Sequence, residues 1–164
     1  MMTVSLRSKV AQALLLLLAL AIDVAHAQRA TIAGAATVID GDTLDVAGVR
    51  VRLWGIDAPE SRQVCSVAGT DYPCGGRATA HLRGLVGGRP VACEPRDTDR
   101  YGRTVAVCRV AGRDLGAAMV RDGWAVAFVR YAKDYVAQEQ EARSARRGLW
   151  EGTFLAPEIW RRKG

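Results

Sequence analysis

Three alternating segments rich in valine, isoleucine and threonine, one helical stretch, a symmetrical hairpin and two further helical stretches predict an OB-type fold, a five-stranded β-barrel with three α-helices. Three strands, a helix and a return to strands is the order of that barrel, and the last two helices are additions to it. The first 27 residues stand apart. Arg7 and Lys9 precede an apolar run of 13 residues, Val10 to Ile22, and Ala25-His26-Ala27 fits a signal-peptidase site. That run falls short of the roughly 20 residues a membrane-spanning helix requires, so it reads as a cleaved signal peptide rather than an anchor. Residues 28–164 then form one domain, with no stable membrane insertion once the signal is removed.

The elements follow in order. Between Thr31 and Ile56 the alternation breaks at Gly41 and at Ala47-Gly48, giving strand, turn, strand, turn, strand. In the third strand Val49, Val51 and Leu53 alternate with Arg50, Arg52 and Trp54, which places both arginines on one face. Ala58 to Gly76 is rich in turn-forming residues and reads as a loop held by Cys65 and Cys74. A helix follows from Arg77 to Val86, ended by Gly87-Gly88. Val91–Glu94 and Thr104–Val110 make a hairpin centred between Arg100 and Tyr101. Asp114 caps a second helix that Gly123 terminates, and Trp124–Val129 is a short apolar strand. A third helix runs from Asp134 to about Arg147, its glutamates ahead of its arginines as the helix dipole favours. Trp150 and Trp160 in the tail are expected to pack back onto the domain.

Composition narrows the chemistry. Without Arg7, Lys9 and Asp23, 21 basic and 16 acidic residues leave a balance of +5, and 19 of the 21 cations are arginine. The arginine fork suits phosphate and carboxylate, so a polyanionic partner is favoured. Four cysteines in an exported chain favour two disulfides, and four allow three pairings. Cys93 and Cys108 are equidistant from the hairpin centre and face each other, which favours that bridge together with Cys65–Cys74. The Cys93–Cys108 bridge is worth on the order of 3 kcal/mol for a loop of its length. His26 leaves with the signal peptide, and the remaining His81 excludes a histidine-rich zinc site. Carboxylates, arginines and a hard cation are left as the means of catalysis.

Three charged stretches carry that chemistry. Ile39–Asp45 reads IDGDTLD and fails as an EF-hand loop because Val51 stands where the twelfth-position glutamate is needed. It remains a plausible hairpin turn on composition alone. Val51–Glu60 reads VRLWGIDAPE, and Asp97–Arg103 reads DTDRYGR. Each alone is compatible with a solvated surface; their order and spacing together are specific.

With DGDT, R-L-x-x-I-D-x-P-E and D-R-Y-G-R in succession, the chain resembles the thermonuclease (staphylococcal nuclease-like) family from roughly Ala36 to Trp150. The resemblance implies an OB-fold nuclease. By it, Asp42 and Asp57 are carboxylate ligands of a catalytic Ca²⁺, the backbone carbonyl of Ala58 is a further ligand, and Asp40 lies nearby. Glu60 is the catalytic carboxylate that orients or deprotonates the attacking water, and Arg52 and Arg103 hold the scissile phosphate. Arg100, Tyr101, Phe128 and Tyr131 surround the nucleotide. Ala58 stands in place of the family's threonine, Arg100 in place of a lysine, and Phe128 and Arg130 in place of two tyrosines.

The implied activity is endonucleolytic cleavage of DNA and RNA, single strands favoured, by a periplasmic or secreted monomer that leaves 5′-hydroxyl and 3′-phosphate ends. Two alternatives stand beside it. One is an OB-fold that binds nucleic acid with little or no catalysis, and the other is a protein of the cell envelope or exopolysaccharide assembly. The intact set Asp42, Arg52, Asp57, Glu60 and Arg103 argues for the nuclease.

Overall fold

The computed structural model describes residues 30–163, so the signal-peptide reading of residues 1–27 lies outside the described part. The alternation read from the sequence becomes Ile32–Gly34 (β1), Ala36–Val38 (β2), Thr43–Val46 (β3) and Val49–Leu53 (β4). On β4 Val51 and Leu53 are buried, while Arg50 is exposed and Arg52 half-buried, as the period of two requires. Ile56–Asp57 (β5) follows. Cys65–Val67 (β6) and Thr70–Tyr72 (β7) then form a small hairpin inside the segment expected to be only a loop. Its turn uses positive φ at Ala68 and Gly69, a conformation that lets two short strands reverse within two residues.

Cys74–Val86 (α1) starts three residues earlier than Arg77 and ends on Gly87, whose φ of 56° provides the expected left-handed cap. Val91–Thr98 (β8) and Thr104–Val110 (β9) form the long hairpin, with Cys93 directly opposite Cys108 in the register. Both expected disulfides, Cys65–Cys74 and Cys93–Cys108, are present. Arg113–Asp114 (β10) leads into Leu115–Arg121 (α2), whose first turn is capped by the Asp114 carboxylate accepting from the Ala117 N–H at 3.0 Å. Val126–Ala127 (β11), Val136–Ser144 (α3) and Pro157–Lys163 (α4) complete the fold.

The main sheet is mixed and seven-stranded, in the order β1-β8-β9-β4-β3-β2 with β10 added to β9. Among the described residues only the β4–β9 pairing of this sheet is parallel. The expectation of five strands in a barrel and three helices is corrected in its counts. Among the described residues the first expected strand is split at Ala35, and the two halves pair at opposite ends of the sheet, β1 with β8 and β2 with β3. No ladder joins β1 to β2, so the sheet is not a closed barrel by hydrogen bonding. The added helix, α4, lies in a tail too short and too polar to show helical periodicity, and α3 is shorter than Asp134–Arg147.

Leu44, Val46, Val51, Leu53, Leu82, Val91, Val110, Leu115 and Met119 fill the core between sheet and helices. Trp150 packs edge-on against Phe154, their centroids 4.9 Å apart, and carries Arg143 over its ring. No described helix is long and apolar enough to cross a membrane.

Candidate active site

The acidic stretch that follows β2 is a tight turn. The Thr43 carbonyl accepts from the Ile39 N–H at 3.0 Å, and the Asp40 carboxylate accepts from the Asp42 N–H at 3.0 Å. Gly41 is required by close packing: a Cβ there would stand 2.7 Å from the Ala58 methyl and 3.1 Å from that of Ala78. The turn is thereby pressed against the segment that follows β5, and Asp42 meets Ala58, whose N–H donates to Asp42 Oδ2 at 3.3 Å.

Arg52 joins the first two stretches. From the outward face of β4 its Nη1 donates to Asp42 at 2.8 Å, and its Nη2 donates to Asp57 Oδ1 at 3.0 Å and to the Ile56 carbonyl at 3.2 Å. Asp57 is fixed by the β5–β11 ladder, opposite Val126, and its side chain is 1% exposed. Glu60 begins a turn in which the buried Gln63 accepts from its N–H at 3.2 Å and donates from its own N–H to the Glu60 carbonyl at 2.7 Å. Gly75 in the first turn of α1 backs that turn. A Cβ on Gly75 would lie 1.8 Å from the Glu60 carbonyl oxygen.

The third stretch forms the tip of the β8–β9 hairpin. Asp99 accepts from the N–H groups of Tyr101 and Arg103 and, at 2.7 Å, from Arg103 Nε. Burial works to raise the Asp99 carboxyl, but these bonds outweigh it and hold the group below the ordinary aspartate range. Arg103 Nη1 reaches Thr43 Oγ1 at 3.5 Å, and the Thr43 hydroxyl donates to Asp42 Oδ1 at 3.0 Å. Tyr101 projects into solvent, 75% exposed, with the guanidinium carbons of Arg100 and Arg103 each 5.6 Å from its ring centre. Phe128 and Tyr131 stack with ring centres 5.1 Å apart.

These groups share one cleft of about 860 Å³, lined by Asp40, Asp42, Arg52, Ala58, Glu60, Arg100, Tyr101, Arg103, Phe128 and Tyr131. Of the expected catalytic, metal and nucleotide-binding residues only Asp57 does not line it; its carboxylate is 1% exposed and bonded to guanidiniums, and the residue lines a neighbouring cavity with Val126 and Phe128. One of these guanidiniums comes from a residue outside the expected set. Arg161 on α4 donates from Nη1 to Asp57 Oδ1 at 3.0 Å and to Glu60 Oε1 at 2.7 Å, and from Nη2 to Asp57 Oδ2 at 2.9 Å. Burial acts against its charge, but the bonds to Asp57 and Glu60 outweigh that and hold it more firmly protonated than a free arginine. Arg103, Thr43, Asp42, Arg52, Asp57, Arg161 and Glu60 are thus one continuous polar chain.

Thr43, Gln63, Gly75 and Arg161 escaped sequence reasoning. For Thr43 the signal was present, as the last letter of DGDT. His81 lies elsewhere, on α1, paired with Asp122 at 2.9 Å.

The donor set decides what cation would suit the site. Among the described residues no group of three or more histidine, cysteine, aspartate or glutamate side chains is arranged to hold a metal ion. The site offers two nearly buried carboxylates, Asp42 and Asp57, joined by one guanidinium, and only oxygen donors. Such a set fits a hard cation whose remaining shell is water and substrate oxygen, and fits poorly a metal that needs nitrogen or sulfur. Burial pushes the Asp42 carboxyl up, Arg52 pulls it down, and the charges of Asp40 and Asp57 push it up again, to about 6. Two clustered carboxylates in little water favour a cation of higher charge beside them.

Comparison with known proteins places the same segment in a known context. The family model described as Staphylococcal nuclease homologue matches residues 50–152. Succinoglycan biosynthesis protein ExoI of Rhizobium meliloti (strain 1021) is 42% identical over 123 residues, covering 73% of this chain and 64% of that protein, somewhat less than two thirds of its length. Protein ParB of Escherichia coli is 42% identical over 144 residues, covering 77% of this chain and 76% of that protein. Micrococcal nuclease of Shigella flexneri is 36% identical over 143 residues, covering 76% of this chain and 77% of that protein.

Proposed function

The chain belongs to the staphylococcal nuclease homologue family, which implies an OB-fold, and on that premise we propose that it is an endonuclease hydrolysing phosphodiester bonds of DNA and RNA. The observation that carries the reading is Arg52 bridging the Asp42 and Asp57 carboxylates at the wall of a cleft that Arg103, Arg100 and Tyr101 also line. A polyanion is met there by cations and aromatic faces, and the carboxylates would hold a hard cation rather than the phosphate. In this reading Ca²⁺ is the cofactor, and Asp42, Asp57 and the Ala58 carbonyl would hold it, with Asp40 nearby. Calcium, when bound, supplies a hard positive centre for phosphate oxygen.

The chain's own residues supply the rest of the mechanism. Arg103 keeps Nε on Asp99 and presents the rest of its fork to the cleft, where it binds a phosphate oxygen. Arg52 adds a second guanidinium. Negative charge accumulates on those oxygens as phosphorus becomes five-coordinate, so the two arginines bind the transition state more tightly than the substrate. Glu60 orients the attacking water and accepts its proton. Tyr101, Arg100, Phe128 and Tyr131 receive the flanking nucleotides, and stacking on them tolerates any base and favours single strands. The P–O5′ bond breaks as water attacks phosphorus, the leaving 5′-oxygen takes a proton from solvent water, and the products carry 5′-hydroxyl and 3′-phosphate ends. The enzyme is a monomer exported by its N-terminal signal, acting in the periplasm or outside the cell.

The exopolysaccharide alternative has the name of one relative in its favour, the succinoglycan biosynthesis protein, and no side-chain arrangement among the described residues. Asp42 and Asp57 are joined by Arg52 and do not flank an open space of the width a sugar ring needs. The test is digestion of single-stranded DNA by the purified protein with Ca²⁺ and with a calcium chelator. Cleavage that requires Ca²⁺ and is lost in Arg52→Ala supports the reading. Tight binding without cleavage overturns it in favour of a nucleic-acid-binding protein.

A further inference from the structure

Asp57 and Glu60 come from the segment that follows β4, yet the group that joins them arrives from the far end of the chain. Arg161 places two N–H donors on Asp57 and one on Glu60, while Arg52 adds a further donor to Asp57 Oδ1. Asp57 Oδ1 therefore accepts two bonds, the full capacity of a carboxylate oxygen's two lone pairs, and Oδ2 accepts one. At this point the cleft wall is Arg161, not Asp57. A cation entering from the cleft meets a guanidinium on the oxygens it would take.

One of the two arginines on Asp57 is far better placed to leave. Arg52 sits on β4, holds Asp42 and the Ile56 carbonyl as well as Asp57, and its side chain is 16% exposed. Arg161 is 37% exposed and belongs to a seven-residue helix of which only Pro157 is buried. That helix is tethered at its edges, by Glu158 to Arg130 at 2.8 Å and by the Leu155 carbonyl to Gln63 Nε2 at 2.7 Å. Withdrawing Arg161 breaks no ladder and opens no core.

We propose that Arg161 is a positioning residue that competes with the catalytic cation: it orders Asp57 and Glu60 before the cation arrives, and its side chain must withdraw for the cation to reach Asp57. The proposal rests on the cation reading given above. It makes the C-terminal helix a determinant of how much calcium the protein requires. A competitor that occupies the ligands lowers the apparent affinity by the fraction of molecules in which the ligands are free.

The test is calcium binding by calorimetry to the full protein, to Arg161→Gln and to Arg161→Lys. The glutamine variant is expected to bind Ca²⁺ about tenfold or more tightly than the wild type, as removal of a competing state requires. The lysine variant, which keeps the charge, is expected to remain closer to wild type. In the unaltered protein, hydrogen exchange of Pro157–Lys163 is expected to rise on calcium addition. Equal or weaker affinity in Arg161→Gln overturns the role of Arg161 and leaves the cation reading intact. No calcium binding in any of the three overturns the cation reading and this proposal with it.

Discussion

Replacing Gly75 by alanine is expected to disable the site without altering any group that faces substrate. Gly75 is buried in the first turn of α1, and its N–H donates to the Gln63 carbonyl at 3.2 Å. A Cβ there would be 1.8 Å from the Glu60 carbonyl oxygen, 2.7 Å from the Glu60 carbonyl carbon and 3.0 Å from that of Ser61. All three are backbone atoms and none can rotate aside, so the Glu60 turn must move by about 1 Å or more to restore ordinary van der Waals separation. Forced overpacking of this kind destabilises by roughly 1–3 kcal/mol. A displacement of that size at a catalytic group lowers the rate about 100-fold.

The adjacent residue supplies the control. A Cβ on the exposed Gly76 would meet only the Pro73 Cβ, at 3.9 Å. Gly76→Ala should therefore stabilise by about 0.4–1 kcal/mol through the unfolded state and leave the rate unchanged. Denaturant unfolding and cleavage of a fluorescent oligonucleotide, run on both variants, measure both effects. If Gly75→Ala matches Gly76→Ala in stability and rate, the backing of Glu60 by α1 is refuted.

Two further outcomes follow from the same contacts. Glu60→Gln removes the proton acceptor but keeps an oxygen for Arg161, so turnover should fall by about 10²–10⁴; stability should change by less than about 1 kcal/mol, since both partners are partly exposed. Turnover near the wild-type value would remove Glu60 from the catalytic set. Cys93→Ala with Cys108→Ala should cost about 3 kcal/mol in denaturant unfolding, as expected for a bridge closing a loop of this length. A loss below about 1 kcal/mol would mean that the β8–β9 ladder holds the hairpin without the bridge.

The sequence was most informative where backbone geometry is local. Alternation in Thr31–Ile56 gave the strands of the sheet because one face is buried at every second residue, and Arg52 accordingly lies on the outer face. The hairpin symmetry placed Cys93 against Cys108 because an antiparallel register is fixed by its turn. Local pattern failed where the determinant was distant. The Gly75 contact is invisible from its neighbours because the atoms it must avoid belong to Glu60, which precedes it by a loop and a small hairpin. Arg161 reads as an ordinary basic residue in a charged tail, and contacts distant in sequence bring it to Asp57: Thr153 bridged to Ser66, the Leu155 carbonyl on Gln63 and Glu158 on Arg130. Splitting of the first strand at Ala35 was equally hidden, since both halves satisfy the same alternation and only their partners differ.

Stability alone gives no reason for this polar chain. A buried ion pair gains Coulomb energy but loses hydration, and replacing it with apolar groups of similar volume is often neutral or stabilising. Asp42 and Asp57 are as deeply buried as the apolar residues beside them, Leu53, Ile56 and Ala58. The fold has its own sources of stability in the core around Leu44, Val51, Leu82 and Met119 and in two disulfides. Carboxylates and guanidiniums kept in such surroundings serve to hold charge at fixed points. The field at the cleft is set before a substrate arrives, and little reorganisation is left for the reaction itself. On this view Arg52 and Arg161 play different parts on the same carboxylate: Arg52, fixed in the sheet, maintains the geometry of Asp42 and Asp57, and Arg161, on a lightly held helix, is the cation that can be exchanged.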